Sequence, residues 1–389
     1  MHARSSRAKA APAAVTGAGK GEAGCDVGHQ TVLVLQGGGA LGAYQMGVYQ
    51  ALQGAGIEPD WVIGTSIGAI NAALIAATPP PARVGRMQRF WGEVGRMASR
   101  PPLVTPLGME RAIGTLQAFA WGIPGFFRPG LAAWLGPLAG VGGAAAGWYD
   151  TAPLRHTLDA LIDFPLAGQG GPRLTVGAVD VESGQLRYFD SREQPIRVEH
   201  VLASGALPPA FPPVQVDGRW YWDGGIYSNT PIEAVLDDTP RRSALVFAVQ
   251  LWNAAGPLPR SVTEAMHRQK DIQYASRASS HLQRQRQLHG LRHVIGELAR
   301  EIPAARRGDP RVRRLLAAGC TTTMHVVRLV APRLSGEDQF KDLDFTPEGI
   351  EARRAAGQRD ARRVIGAAPW TRTADPTEGV IEHAVEASI

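Results

Sequence analysis

Cysteine is almost missing from this chain: Cys25 and Cys320 are the only two in 389 residues. Two thiols cannot build a disulfide framework, which points to a reducing compartment and a cytoplasmic location. No Cys–Cys or Cys–His spacing of ligand type occurs, so neither a metal nor a cofactor is expected. The N-terminal stretch has Arg and Lys near its start but no apolar run behind them, so a secretory signal peptide is not expected. None of the ten histidines stands in a recognisable catalytic context. Between Lys20 and Arg83 there is no Lys or Arg at all.

The 44% hydrophobic content is that of a globular chain, and the length suffices for one large domain or two ordinary ones. Residues 1–30, rich in Ala and Gly without apolar periodicity, read as a disordered tail. The formal charge of +6 is unevenly spread. Between residues 260 and 314, thirteen Lys and Arg stand against five Asp and Glu. Such a stretch could meet an anionic membrane, although a solvated helix face is the simpler reading.

Three motifs carry chemistry. "TVLVLQ" from Thr31 reads as a buried strand and Ala40–Gln53 as a helix. Between them Gly37, Gly39 and Gly42 form G-x-G-x-x-G, the pattern of a dinucleotide turn. That use wants an acidic residue at the end of the second strand, and a P-loop wants a lysine; neither is present. The remaining use of a glycine loop is as a rack of backbone N–H donors aimed at one oxygen. Next, Trp61–Ile63 reads as a strand and Ile67–Ala77 as an apolar helix. Gly64-Thr65-Ser66-Ile67-Gly68 between them is G-x-S-x-G, a strand-to-helix elbow that exposes the serine. Third, strands at 214–216 and 219–222, turned at Asp217-Gly218, deliver Asp223 into Asp-Gly-Gly with Gly224 and Gly225. Taken singly, the serine could merely cap its helix and the aspartate merely make a turn.

In this order the three motifs resemble the patatin-like phospholipase family, and "LPPAFPP" within Ala203–Pro213 looks like its segment before the catalytic aspartate. The resemblance covers residues 31–236. It implies a three-layer α/β/α sandwich and a Ser–Asp dyad. Ser66 would be the nucleophile, Asp223 the general base, and the N–H groups of Gly37, Gly38 and Gly39 the oxyanion hole. The implied reaction is hydrolysis of a lipid or lipid-like ester, with no nucleic-acid partner and with peripheral contact to a membrane or lipid granule left open. Intracellular polyester (polyhydroxyalkanoate) depolymerase and acyl thioesterase are alternatives, as is a catalytically silent lipid- or granule-binding scaffold. One departure bears on substrate: many members carry Arg or Lys where this chain has Leu41, and a cation there would suit an anionic head group.

Two regions are less explicit. From Ala112 to Trp148, within an insertion at about 103–148, the only charged residue is Arg128. Its glycines and prolines make it a poor spanning helix, and an apolar lid anchored by Trp121, Phe126, Phe127 and Trp134 is the preferred reading over plain buried packing. Residues 237–366 read as an α/β extension packed on the catalytic domain, with a strand at Ser243–Trp252, a late strand in "TTTMHVVRLVAP" and a late helix over Pro347–Ile365. A long basic helix runs over 262–300, and its stripe of Leu288, Leu291, Ile295 and Leu298 is expected in the core. Residues 367–389 read as tail.

Overall fold

The computed structural model describes residues 30–98 and 122–384, except 124, 139, 169, 336, 338, 339, 372–374, 376 and 377. The N-terminal tail, Trp121 and much of the apolar insertion lie outside the described residues.

Eight strands run across one sheet. Followed from one hydrogen-bonded neighbour to the next they are β11 (Val380–Ala384), β10 (Met324–Val330), β9 (Ala244–Gln250), β1 (Gln30–Leu35), β2 (Trp61–Gly64), β5 (Arg173–Asp180), β8 (Arg219–Asp223) and β7 (Val214–Val216); β8 meets β5 on the same edge as β2, and β6 (Leu186–Asp190) takes the other edge as the ninth strand. A separate small pair, β3 (Arg128–Pro129) and β4 (Tyr149–Asp150), lies in the insertion. Pairing from β11 to β5 is parallel and that of β6, β7 and β8 is antiparallel. The parallel strands are short and apolar because both their faces are covered. On β1, Leu33 and Leu35 point into one core and Val32 and Val34 into another, as the two-residue period of a strand requires.

The first core is roofed by α1 (Ala43–Gly54), α2 (Ile67–Ala76), α3 (Arg83–Ala98) and α7 (Pro347–Ala367), with α4 (Ala152–Leu161) and α5 (Val198–Ser204) beside them. The second core holds Ile232, Val235 and Leu236 with Leu282 of α6 (Val262–Glu301). This is a three-layer α/β/α arrangement. Helix α2 is apolar on every side, and all ten of its residues are buried.

The C-terminal region does not form a core of its own. β9 and β10 extend the sheet beyond β1, and α7 lies on α1 at close range: a Cβ on Gly47 would overlap the Arg354 carbonyl, and one on Gly357 would overlap that of Tyr44. Val380–Ala384, expected as tail, pairs in parallel with β10 as the sheet's edge strand; its five residues (Val-Ile-Glu-His-Ala) do not alternate apolar and polar, so they carry no strand signal. The stripe on α6 is also corrected. Leu291 is 63% exposed and Leu298 58%, while His289 and His293 are buried. The two imidazoles reach backbone carbonyls of Leu236 (3.3 Å) and Thr322 (2.8 Å), so a polar pair turns this face inward. Among the described residues, no helix is long and apolar enough to cross a membrane.

Candidate active site

The register of β5 brings two distant motifs together. Its residues Val176 and Ala178 face β6 on one edge, so their partners Gly64 of β2 and Asp223 of β8 must lie on the other. β2 stops at Gly64, and β8 takes up the same edge two residues further on. The chain leaving β2 therefore turns beside the end of β8. That turn is sharp: Ser66 sits at φ 57°, ψ −126°, a conformation L-residues rarely adopt. A Cβ at Gly64 would overlap the Gly68 carbonyl, and one at Gly68 that of Leu35, so both flanking glycines are sterically required. The Ser66 N–H donates to Ser204 Oγ (3.0 Å), which donates to the Gly177 carbonyl (2.6 Å), tying the elbow to α5 and β5.

The Ser66 hydroxyl and the Asp223 carboxyl line the same cavity, and the hydroxyl lies near enough to lower the carboxyl's pKa. Asp223 ends β8, is only 2% exposed and accepts the Gly225 N–H at 2.7 Å through Oδ1. Burial pushes its carboxyl up to about 7, and the Gly225 hydrogen bond and the nearby Ser66 hydroxyl pull against that rise. Gly224 packs on the Gly177 carbonyl, where no side chain would fit. Among the described residues, no histidine lines the cavity that holds these two groups.

The glycine loop meets Ser66 from the β1 side. Gly37 is pinned at both ends of its peptide units. Its N–H donates to the Asn229 carbonyl (3.1 Å), and its carbonyl accepts Asn229 Nδ2 (3.1 Å) and Trp252 Nε1 (2.8 Å). The Gly37 amide is thus already used. The N–H groups of Gly38 and Gly39 donate to nothing among the described residues. Gly39 adopts a left-handed φ of 55° at the start of the turn into α1, and Gly42 packs on Ile67 of the elbow helix. The side chain of Gln36 braces the loop by accepting the N–H groups of Leu251 and Trp252 and donating to Thr230 Oγ1.

A patatin-like phospholipase family model matches residues 33–236, and a second model, described as patatin phospholipase, matches 272–377. The first alone spans more than half of the chain. The chain belongs to the patatin-like phospholipase family.

Among relatives of this patatin-like chain, lysophospholipase nte1 of Aspergillus terreus is 48% identical over 71 residues, 18% of this chain and 5% of that protein. Human patatin-like phospholipase domain-containing protein 6 is 42% identical over 66 residues, 17% of this chain and 5% of that protein. The matched segment therefore spans only about one-twentieth of those proteins. Among solved structures, VipD from Legionella pneumophila aligns over 87% of this chain and 67% of its own at 16% identity, with a TM-score of 0.36. The type III effector ExoU aligns over 87% of this chain and 53% of its own, at 16% identity and a TM-score of 0.33. Scores this low transfer nothing from those two proteins.

Above the Ser66–Asp223 pair of this patatin-like site lies a cavity of about 260 Å³ with mainly apolar walls. Phe126, Phe127, Leu154, Phe211 and Phe345 supply much of that surface. Phe126 and Phe127 are buried, whereas Trp134 of the same insertion is 74% exposed. The expected lid anchors thus separate into a cavity wall and a surface residue. Lys270 and Asp342, from the C-terminal region, also line the cavity, whereas Leu41 does not. Leu41 is 4% exposed and borders a different, larger cavity of about 530 Å³. Ser204, Asn229, Gln36, Trp252 and Lys270 were not legible as site residues; each lies outside a motif and is recruited by tertiary packing. Among the described residues, no cluster of three His, Cys, Asp or Glu could hold a metal.

Proposed function

We propose that this chain is a serine hydrolase of lipid or lipid-like carboxylic esters. The observation that carries the reading is the placement of Ser66, on a strained elbow, in one apolar cavity with a buried Asp223. In this reading Asp223 takes the Ser66 proton as Oγ attacks the ester carbonyl. The resulting oxyanion is held by the N–H groups of Gly38 and Gly39, and the N-terminal end of α1 adds its favourable dipole. The tetrahedral centre collapses, expels the alcohol with the proton from Asp223, and leaves an acyl group on Ser66. Water, deprotonated by the same carboxylate, attacks the acyl carbon and releases the acid. A carboxyl near 7 suits this exchange, because a base is most effective when its pKa lies near the working pH.

The intact Ser66–Asp223 pair argues against a silent scaffold, and the apolar cavity favours an acyl chain over a polar substrate. A cytoplasmic enzyme meeting a lipid surface through exposed Trp134 and Leu138 accords with this arrangement. Ser66→Ala tests the reading: it should lower hydrolysis on the order of 10⁴-fold or more. It should also abolish labelling by a fluorophosphonate, without moving the melting temperature. Turnover near that of the unmodified protein would remove Ser66 from the mechanism. A substrate panel of lysophospholipids, p-nitrophenyl esters, acyl-CoA and hydroxyalkanoate oligomers separates the lipid hydrolase from the depolymerase and the thioesterase.

A further inference from the structure

The sequence offers no cation near the glycine loop, and Leu41 occupies the position where one is often found. The fold supplies one from more than 200 residues away. Lys270, on α6, lines the Ser66 cavity and is the only Lys or Arg that does so among the described residues. It belongs to one cluster with the loop. Its Nζ donates to Asp342 Oδ2 at 2.5 Å, and the Asp342 backbone lies directly against Gly39, where a Cβ would overlap the Asp342 carbonyl. The ammonium also stands 5.3 Å from the Trp252 ring, whose Nε1 holds the Gly37 carbonyl. The lysine is therefore tied to Asp342 and Trp252, two residues that pack on the glycine loop.

An ammonium has three donors, and Asp342 takes one. The Lys270 side chain is 35% exposed, so its ion pair is partly solvated and weakly held. An anionic oxygen entering the cavity can share the ammonium or displace Asp342 at small cost. Within mainly apolar walls, such a contact discriminates strongly between charged and neutral ligands.

We infer that Lys270 holds an anionic oxygen group of the substrate, a phosphate or a carboxylate, beside the ester that Ser66 attacks. This inference rests on the Ser66 reading for its reaction but not for its binding contact. The substrate class is then an acyl ester carrying a negative group close to the scissile bond. Two sources share that chemistry: the phosphate of a lysophospholipid and the free carboxylate of a hydroxy-acid oligoester. Asp342 holds the ammonium at the loop and competes with the incoming anion.

The test is calorimetric titration of the full-length Ser66→Ala protein, which should not turn over, with decyl phosphate, decanoate and neutral decyl glucoside. An anionic ligand should bind at least about tenfold tighter than the glucoside. Adding Lys270→Met should erase most of that ratio, Lys270→Arg should restore much of it, and Asp342→Asn should increase it. Preference for decyl phosphate over decanoate identifies the phosphate source, and the reverse order the carboxylate source. Equal weakening of all three ligands by Lys270→Met, or an unchanged ratio, would overturn the inference. Hydrolysis of p-nitrophenyl butyrate is followed in parallel. If it survives Ser66→Ala, the nucleophile assignment fails and the binding result stands. If it is lost while Lys270→Met leaves the ratio unchanged, the nucleophile stands and the role of Lys270 fails.

Discussion

Residues 36–68 and residues 262–353 meet at one cavity and build it by different means. The first region touches it mainly with backbone. Glycines at 39, 64 and 68 bring peptide groups against one another at distances no side chain would allow, Gly37 and Gly38 lie as close to neighbouring side chains, and Ser66 projects from that frame. The second region touches it with side chains. Lys270 arrives from a helix whose N-terminal residues are largely exposed, and Asp342 and Phe345 follow from the segment before α7. A backbone frame fixes positions to fractions of an ångström and tolerates little change. Side chains reaching in from a docked region can change identity without disturbing that frame. On the proposed reading, this division puts bond chemistry on one side and selection of the substrate's polar group on the other.

The largest effects are expected at the two proposed reacting groups, Ser66 in the frame and Asp223 at the end of β8 beside it. After Ser66→Ala, the next largest effect is expected from Asp223→Asn, which keeps an oxygen for the Gly225 N–H but removes the base. Activity should fall by a factor of roughly 10² to 10⁴. On the proposed reading the carboxylate is the active form, and burial raises it to about 7, so kcat/KM should rise with pH through that value and level off above it. The residual activity of Asp223→Asn should lack that step. Stability should respond in the opposite sense. The folded protein binds this proton more tightly than the unfolded chain, so Asp223 costs stability as pH rises from about 4 through 7. Asp223→Asn should therefore melt above the unmodified protein at pH 8, and the gap should narrow toward pH 4. A pH–rate profile with no step near neutrality would remove Asp223 as the base.

The contact between the two regions should give a smaller effect, read in stability. Gly47 and Gly357 let α1 and α7 cross with their backbones in contact. Gly47→Ala forces the helices apart and should cost about 1–3 kcal/mol, a drop of several degrees in melting temperature. Gly357→Ala should cost a similar amount. The double variant should cost less than the sum, because the first methyl has already opened the same contact. Strict additivity would mean that the two glycines do not share one interface. Because α1 starts from the glycine loop, either change should also lower activity a few fold.

What was legible in the sequence follows the same division. The elbow, the Asp-Gly-Gly turn and the glycine loop are local patterns, and their steric needs show as glycines at fixed offsets. Asp217 and Gly218, both at positive φ, make the expected hairpin turn for the same reason. The elements that failed were those fixed by partners far along the chain. The stripe at Leu288, Leu291 and Leu298 has helical spacing, but the buried face belongs to His289 and His293 because two backbone carbonyls await them. The edge strand at Val380–Ala384 is specified by β10, not by its own composition. The expected donor at Gly37 is spent on Asn229, which no spacing rule connects to it. Lys270 has the same origin: nothing near the glycine loop announces it.

The smallest expected effect provides the counterpart to Gly47. Gly92 lies in the middle of α3, and a Cβ there would meet only Arg96 Nη1, at an ordinary 3.8 Å. Nothing at this position requires a glycine, so the residue contributes only backbone freedom in the unfolded chain and a weak helix preference. Gly92→Ala should therefore stabilise the protein by about 1 kcal/mol. The melting temperature should rise by a few degrees at most, with kcat/KM on a soluble ester unchanged. Placed beside Gly47→Ala, the same chemical change should have opposite signs at two helical glycines, with the sign set by whether another backbone lies within reach of the new methyl. If both variants lost stability, the loss at Gly47 could not be assigned to the α1–α7 contact. If both gained it, the two helices would not be packed as closely as the structure places them.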